Sequence, residues 1–305
     1  MAVITTGSFP KALWPGVKGW WGMDYPQHKD EHLDLFDKTT SDQAYEEYVQ
    51  ATDFPLAPTK NQGASVLYTD HAQGFTTRVT NVQYALGYIL TYEEIKNNLY
   101  MKLAKRRTQA LRFSFYTTKQ TVGANVYNRA FNASYTFGDG KEMIATDHPN
   151  TSGGTWSNEL SPAADLSEAA LEDMCIQIMG ATSDTGNQIA LKPYCLIVPR
   201  QLWFEANRVV KSVLQNDTAN NAINVLQSTN AFPGGIKMNH YLTDTDAFFV
   251  RTNLSGDTGL IYQEREALVF DTDNDFDTKN FKAKGYEDYA FSCIDPRAVY
   301  GSAGA

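Results

Sequence analysis

The sequence predicts an α+β protein with parts that extend away from its core. Three observations predict this. A helical pattern runs for about 40 residues after Thr91, far beyond the usual dozen or so. A hairpin-like stretch before it has no cleanly apolar face. From Tyr194 onward, short strand-like runs alternate with helix patterns. The 305 residues, 42% hydrophobic and 12% aromatic, suffice for a sizeable core of two subdomains.

Residues 1–53 read as an N-terminal arm. Trp14, Trp20 and Trp21 lie there among prolines and glycines with no helical or strand period. Such aromatic anchors need a surface, and the expectation is a neighbouring subunit. Asp42–Gln50 reads as a short helix. Residues 54–90 follow as an extended hairpin loop, with Val66–Tyr68 as one strand, a turn containing Asp70 and His71, and a second run from Phe75. Phe75, Thr77, Val79 and Asn81 share one face; Thr76, Arg78, Thr80 and Val82 share the other. An isolated hairpin is marginal in water, so a partner chain is expected to hold it. Asp70, His71 and Arg78 are the expected contact residues, with the three tryptophans.

Residues 91–160 read as the long helix and its surroundings. Thr91 and Glu94 form a capping box, and Ile95, Leu99, Leu103 and Leu111 recur at helical spacing. The basic cluster Lys102, Lys105, Arg106 and Arg107 rides on this helix, as a solvated face or a weak contact to DNA or to a neighbour. Thr117-Thr118 and Gly123 are expected to bend it. In residues 161–265, Asp165 and Glu168 cap a helix, "YCLIVP" is a buried strand, "RQLWFEANRVVKSVL" a helix, and "IKMNHYL", "DAFFVRT", "GLIYQE" and "EALVF" strands. Residues 266–305 return through "DYAFSCI" to the C-terminus.

Composition narrows the function. A net charge of −9 argues against a dedicated duplex binder. No apolar run reaches the roughly 18 residues of a membrane span, and "MAVITTGSFPKALWPG" does not read as a signal peptide. Cys175, Cys195 and Cys293 read as buried thiols of a reducing compartment.

The motifs that imitate chemistry are incomplete. "HKDEH" (His28–His32) matches an inverted zinc-protease motif but lacks an amphipathic helix around it. "DTDNDFDTKNFK" (Asp271–Lys282) imitates a calcium loop, yet Phe276 stands where the turn glycine belongs and Lys282 where the bidentate glutamate belongs. Asp147-His148 has no third member in view, and its "SGGT" opens no helix. No catalytic, metal or cofactor residue is assigned.

Several stretches in order resemble the major capsid proteins of tailed bacteriophages, in the branch similar to the Mu-type major head subunit. They include "ITTGSFPKALWPGV", "TYEEIKNNLY", "ANVYNRAF", "DGKEMIATDHPNTSGGTWSNELSPAADLSEAALE", "LIVPRQLWFEANRVVKS", "NHYLTDTDAFFVRT" and "DPRAVYGS". The resemblance implies the fold shared with herpesvirus capsid floors: N-terminal arm, extended hairpin loop, long spine helix, peripheral domain and axial domain. It implies a non-enzymatic subunit that self-associates into pentamers and hexamers of an icosahedral head around DNA. Implied partners are further copies of itself, scaffold, portal and decoration proteins, and packaged DNA, with no membrane; implied localisation is the virion after assembly in the bacterial cytoplasm. It also implies a separate scaffold or none, because no scaffolding segment precedes the arm. The alternatives are a metal-dependent hydrolase using His28, Glu31 and His32, and a minor head or decoration protein.

Overall fold

The computed structural model describes residues 30–70, 72–92, 100–214, 222–275 and 280–304, with the side chains of residues 100–106 excepted. Trp14, Trp20, Trp21, His28, His71 and the Glu94 end of the capping box lie outside the described residues.

Two four-stranded sheets carry the molecule. The first has the order β1 (Asp37–Thr40), β10 (Leu260–Asn274), β11 (Phe281–Cys293) and β4 (Val82–Leu90). β1 is parallel to β10, and the other pairs are antiparallel. The second has the order β12 (Val299–Ser302), β9 (Phe248–Thr252), β7 (Pro193–Pro199) and β8 (Gly235–Asn239). β10 is one strand of 15 residues, where the sequence reads as two. Its apolar alternation breaks because the register shifts between Glu264 and Val269, a bulge rather than a loop.

The long helix, α2 (Tyr100–Asn128), packs on the first sheet. Its 29 residues span about 43 Å. It passes Thr117-Thr118 and Gly123 unbroken; Thr118 donates back to the Ser114 carbonyl at 2.8 Å. Leu111, Phe115, Ala124 and Tyr127 form its buried stripe. Gly285 of β11 lets the helix sit close: a Cβ there would lie 2.7 Å from the Phe115 ring. Lys119 and the almost fully buried Glu287 pair across this interface at 2.7 Å.

Beneath the second sheet, α3 (Glu168–Met179) and α4 (Trp203–Lys211) close a core of their own through Leu171, Met174, Ile178 and Ala206. The N-cap position of α3 is Ser167, two residues after Asp165, its hydroxyl accepting from the Ala170 amide at 3.2 Å. The other core joins the two sheets through Tyr127, Ile144, Ile197, Phe249 and Tyr262. Among the described residues the three cysteines are buried free thiols, and burial pushes Cys175 and Cys195 up to about 11.

The hairpin differs from the expectation. Its strands are β2 (Tyr45–Ala51) and β3 (Gln73–Thr80), antiparallel, and Asp42–Gln50 is therefore not a helix. Pairing with β3 overrides the local helical pattern of "DQAYEEYVQ". Val66–Tyr68 forms no strand, and β4 belongs to the first sheet instead. The chain also supports this ribbon itself: Val79 is buried against Ile261 and Ala290. The face carrying Thr77 and Val79 is thus the inward one, a partly apolar face that suffices at the ribbon's base.

Candidate surfaces and the polar hub beneath them

The loop containing Asp147-His148, closed by the short antiparallel pair β5 (His148–Pro149) and β6 (Thr155–Trp156), forms a buried polar hub. The His148 ring is fully buried, stacked on Trp156 with 4.7 Å between centroids. Its Nδ1 lies 2.6 Å from Asp139 Oδ2, and its Nε2 lies 3.0 Å from Asn158 Oδ1. Both ring nitrogens are therefore occupied, and neither faces a substrate. Asn158 also accepts from the Ala145 amide and donates to the carbonyls of Met143, Pro296 and Val299. Asp147, the neighbour that made the pair look catalytic, turns outward to Lys141.

A second cluster adjoins the first. Arg297, 5% exposed, lies 3.1 Å from Asp184, donates to the Thr182 carbonyl at 2.9 Å and to Asn150 at 3.2 Å. Its guanidinium also stacks 4.3 Å over the Trp156 ring. Ser152 and Thr151 bond Asp184 from the Gly-rich loop. Together the clusters bind three separate stretches, around residues 139–158, 182–184 and 296–299, into one unit. Asp139, Asn158, Asp184 and Arg297 escaped the sequence reading, because no spacing signal links residues up to 158 positions apart.

The hub supports the ribbon. Gly138 passes so close to β3 that a Cβ there would fall 2.2 Å from Thr77 Oγ1. Thr77 in turn donates to the Ile294 carbonyl at 3.4 Å. A cavity of about 280 Å³ lies between the ribbon and the hub, lined by Tyr48, Phe75, Trp156 and Arg297 among others.

Beyond its base the ribbon leaves the core. Thr52 and Ala72 exchange bonds at its neck, and residues 53–70 are exposed throughout. Leu56 is 82% exposed, Val66 58%, Leu67 65% and Tyr68 90%. Asp70 is exposed in the same loop. Arg78 is exposed too, with its guanidinium 3.7 Å over the ring of Tyr45 in its own ribbon. Of the basic cluster, Arg107 donates to the Ile89 carbonyl at 3.0 Å; Lys102, Lys105 and Arg106 lie on α2, their side chains outside the described residues.

The zinc imitation comes apart. Glu31 bonds His240, 2.5 Å from its Nδ1. His32, at the start of the short helix α1 (His32–Leu35), points into the core, where Gln120 Nε2 lies 2.9 Å from its Nδ1. These two side chains do not converge, and His28, the third residue of the hydrolase alternative, lies outside the described residues. In the calcium imitation, Asp275 pairs with Lys282 at 2.7 Å and Asp271 approaches Lys284 at 3.8 Å. Among the described residues no group of histidine, cysteine and carboxylate side chains is arranged for a metal. No described helix is long and apolar enough to cross a membrane.

Burial lowers the pKa of His32 from 6.5 to about 4, chiefly by desolvation. The folded state holds this ring neutral, whereas the unfolded chain takes up a proton below 6.5. Its contribution is therefore complete above pH 6.5 and is lost as the pH falls toward 4, a change on the order of 3 kcal/mol. Urea unfolding of the chain and of His32→Gln between pH 7 and 4 measures it. The two stability curves are expected to converge on acidification; a constant separation would contradict the buried neutral ring.

A family model described as phage capsid protein matches residues 74–302. The fold resembles solved capsid structures at low identity. The capsid of Myoviridae phage XM1 aligns over 93% of this chain and 92% of its own, with 11% identity and a TM-score of 0.54. Mycobacterium phage Patience aligns over 99% and 92%, with 9% identity and a TM-score of 0.56. A virus-like particle from Pyrococcus furiosus aligns over 95% and 99%, with 11% identity and a TM-score of 0.52. No curated protein sequence matches the chain.

Proposed function

The chain belongs to the phage capsid protein family, and on that premise we propose that it is the major head subunit, forming pentamers and hexamers of an icosahedral shell around packaged DNA. It is a structural, non-enzymatic protein of the virion capsid, with a phage major capsid fold. The Mu-type branch is favoured by the ordered set of sequence stretches that resemble it.

The observation that carries the assembly reading is the loop of residues 53–70. Leu56, Val66, Leu67 and Tyr68 are held out on a ribbon and stay exposed in the subunit. Burying each on a neighbour would contribute about 1.5–3 kcal/mol. Four such side chains reach roughly 6–12 kcal/mol, comparable to the 4–15 kcal/mol lost in associating two bodies. A single contact is then marginal, while a closed shell, where every subunit gives and receives the contact, is stable. Arg78 and Asp70 stand beside this surface, and the Trp14, Trp20 and Trp21 arm is assigned to a neighbour as a clamp.

In this reading residues 91–160 and 266–305 form the peripheral domain and residues 161–265 the axial domain. Residues 1–53 supply the arm and residues 54–90 the hairpin loop, to which the strand Tyr45–Ala51 contributes. The α2 basic cluster meets DNA or a neighbour by weak charge contacts. Scaffold, portal and decoration proteins complete the set of partners, and assembly takes place in the host cytoplasm. Sedimentation velocity of the purified chain tests the reading. Capsomers or shells are expected as concentration rises; a monomer at every concentration, with or without a scaffold, would contradict it.

A further inference from the structure

We infer that the hub holds a proton: His148 is an imidazolium in the folded subunit, and its charge seats the loop on which the base of the ribbon rests. The charge belongs to the subunit itself and stands apart from the shell reading.

Asn158 fixes the first half of this assignment, because its amide has one workable orientation. Its Nδ2 lies 2.8, 3.1 and 3.0 Å from the carbonyl oxygens of Met143, Pro296 and Val299, and its Oδ1 accepts from the Ala145 amide at 2.9 Å. Turned over, the amide would set its oxygen against three acceptors and its NH2 against a donor. Oδ1 therefore faces the His148 ring, and Nε2, 3.0 Å away, carries a hydrogen. Nδ1 faces a second acceptor, Asp139 Oδ2, at 2.6 Å. A neutral imidazole has one N–H for these two acceptors, so the geometry calls for one more proton. The other oxygen of Asp139 accepts from the Lys141 amide at 3.1 Å, which favours the carboxylate and leaves the proton on the ring.

The surrounding charges fit this count. Arg297 stacks over the Trp156 ring, on which His148 also stacks, and faces Asp184 and Asp295 at 3.1 and 3.6 Å. Asp147 turns to Lys141. The Cys293 thiol stays neutral, pushed well up by burial, with Asp295 and Asp139 adding to the effect. The cation bonded to Asp139, whose side chain is 7% exposed, is His148. Without the proton Asp139 would be a buried carboxylate facing a ring nitrogen lone pair, a state far costlier than the pair. Asp139 directly follows Gly138, which presses on Thr76 and Thr77 of β3. Asp139 and Thr77 also line the same cavity beneath the ribbon. A bare charge at Asp139 would draw this loop toward water and away from the ribbon's base. The unfolded chain gives up its histidine proton above about pH 6.5, whereas the folded subunit keeps it. The folded state then binds more protons, so the pair's contribution is complete below about pH 6.5 and is lost as the pH rises.

Asp139→Asn separates the proton from the shape of the site. The amide oxygen can still accept from the Lys141 amide, and the amide nitrogen can donate to Nδ1, so a neutral ring suffices. Nitrogen NMR of the histidine rings in dissociated subunits at about pH 7.5 is the first readout, with His148→Gln used to identify the signal. Both ring nitrogens of His148 should be protonated in the unaltered chain, and Nε2 alone in Asp139→Asn. Urea unfolding is the second. Between about pH 7 and 8.5 the unfolding equilibrium constant of the unaltered chain should rise at least fivefold relative to Asp139→Asn, since one extra bound proton is worth up to tenfold per pH unit. Amide exchange of residues 75–80, corrected for the intrinsic rate, should quicken at least fivefold over the same range in the unaltered chain and not in the variant. A single protonated ring nitrogen in the unaltered chain, or the same pH dependence of unfolding in both proteins, would overturn the buried proton. Exchange at residues 75–80 that ignores pH would overturn its hold on the ribbon. If Asp139→Asn fails to fold, the ring signals and the exchange of the unaltered chain decide alone.

Discussion

Arg297→Ala is expected to lower the unfolding free energy of the dissociated subunit by about 3–5 kcal/mol. The side chain is 5% exposed and bonds Asp184, Asn150 and the Thr182 carbonyl. Truncation removes those bonds and strands the Asp184 carboxylate, which is 3% exposed, without its cation. An unpaired buried charge costs more than the net value of the pair. The Trp156 ring also loses the guanidinium that lies 4.3 Å over it. Arg297→Lys should recover only part of the loss, because an ammonium cannot match the planar fork that reaches three partners. Denaturant unfolding of dissociated subunits gives the measurement. A change below about 1 kcal/mol for Arg297→Ala would mean the hub does not hold these loops together.

Replacing residues 56–68 with a glycine-serine linker of equal length should abolish shell formation and leave the subunit folded. The replaced residues are exposed in the subunit and lie beyond the Thr52–Ala72 neck, so few native contacts are lost. Changes of that kind move stability by only about 0.5 kcal/mol, or a melting shift of about 1 °C. Assembly loses the apolar side chains of Leu56, Val66, Leu67 and Tyr68 at every intersubunit contact. A melting temperature lowered by many degrees would instead place this loop in the subunit's own core. Shells formed at the normal yield would remove it from the interface.

Much of the framework was legible in the sequence because local signals and tertiary contacts agreed there. "YCLIVP" is a buried strand, and the stripe through Leu111 lies on a long helix. The errors fell where a distant partner decides the structure. "DQAYEEYVQ" is a strand only because β3 lies beside it, and Val66–Tyr68 is coil with no described strand of its own subunit beside it. The polar hub was illegible for the same reason: Asn158 and Arg297 find their partners across the fold, with no period to mark them.

Cryo-electron microscopy of the particulate fraction of the purified chain tests the central claim most directly. The account predicts closed icosahedral shells in which this subunit forms rings of five and six, with the loop of residues 53–70 lying across an adjacent copy. Particles without such rings, or a loop folded back onto its own subunit in every copy, would contradict it.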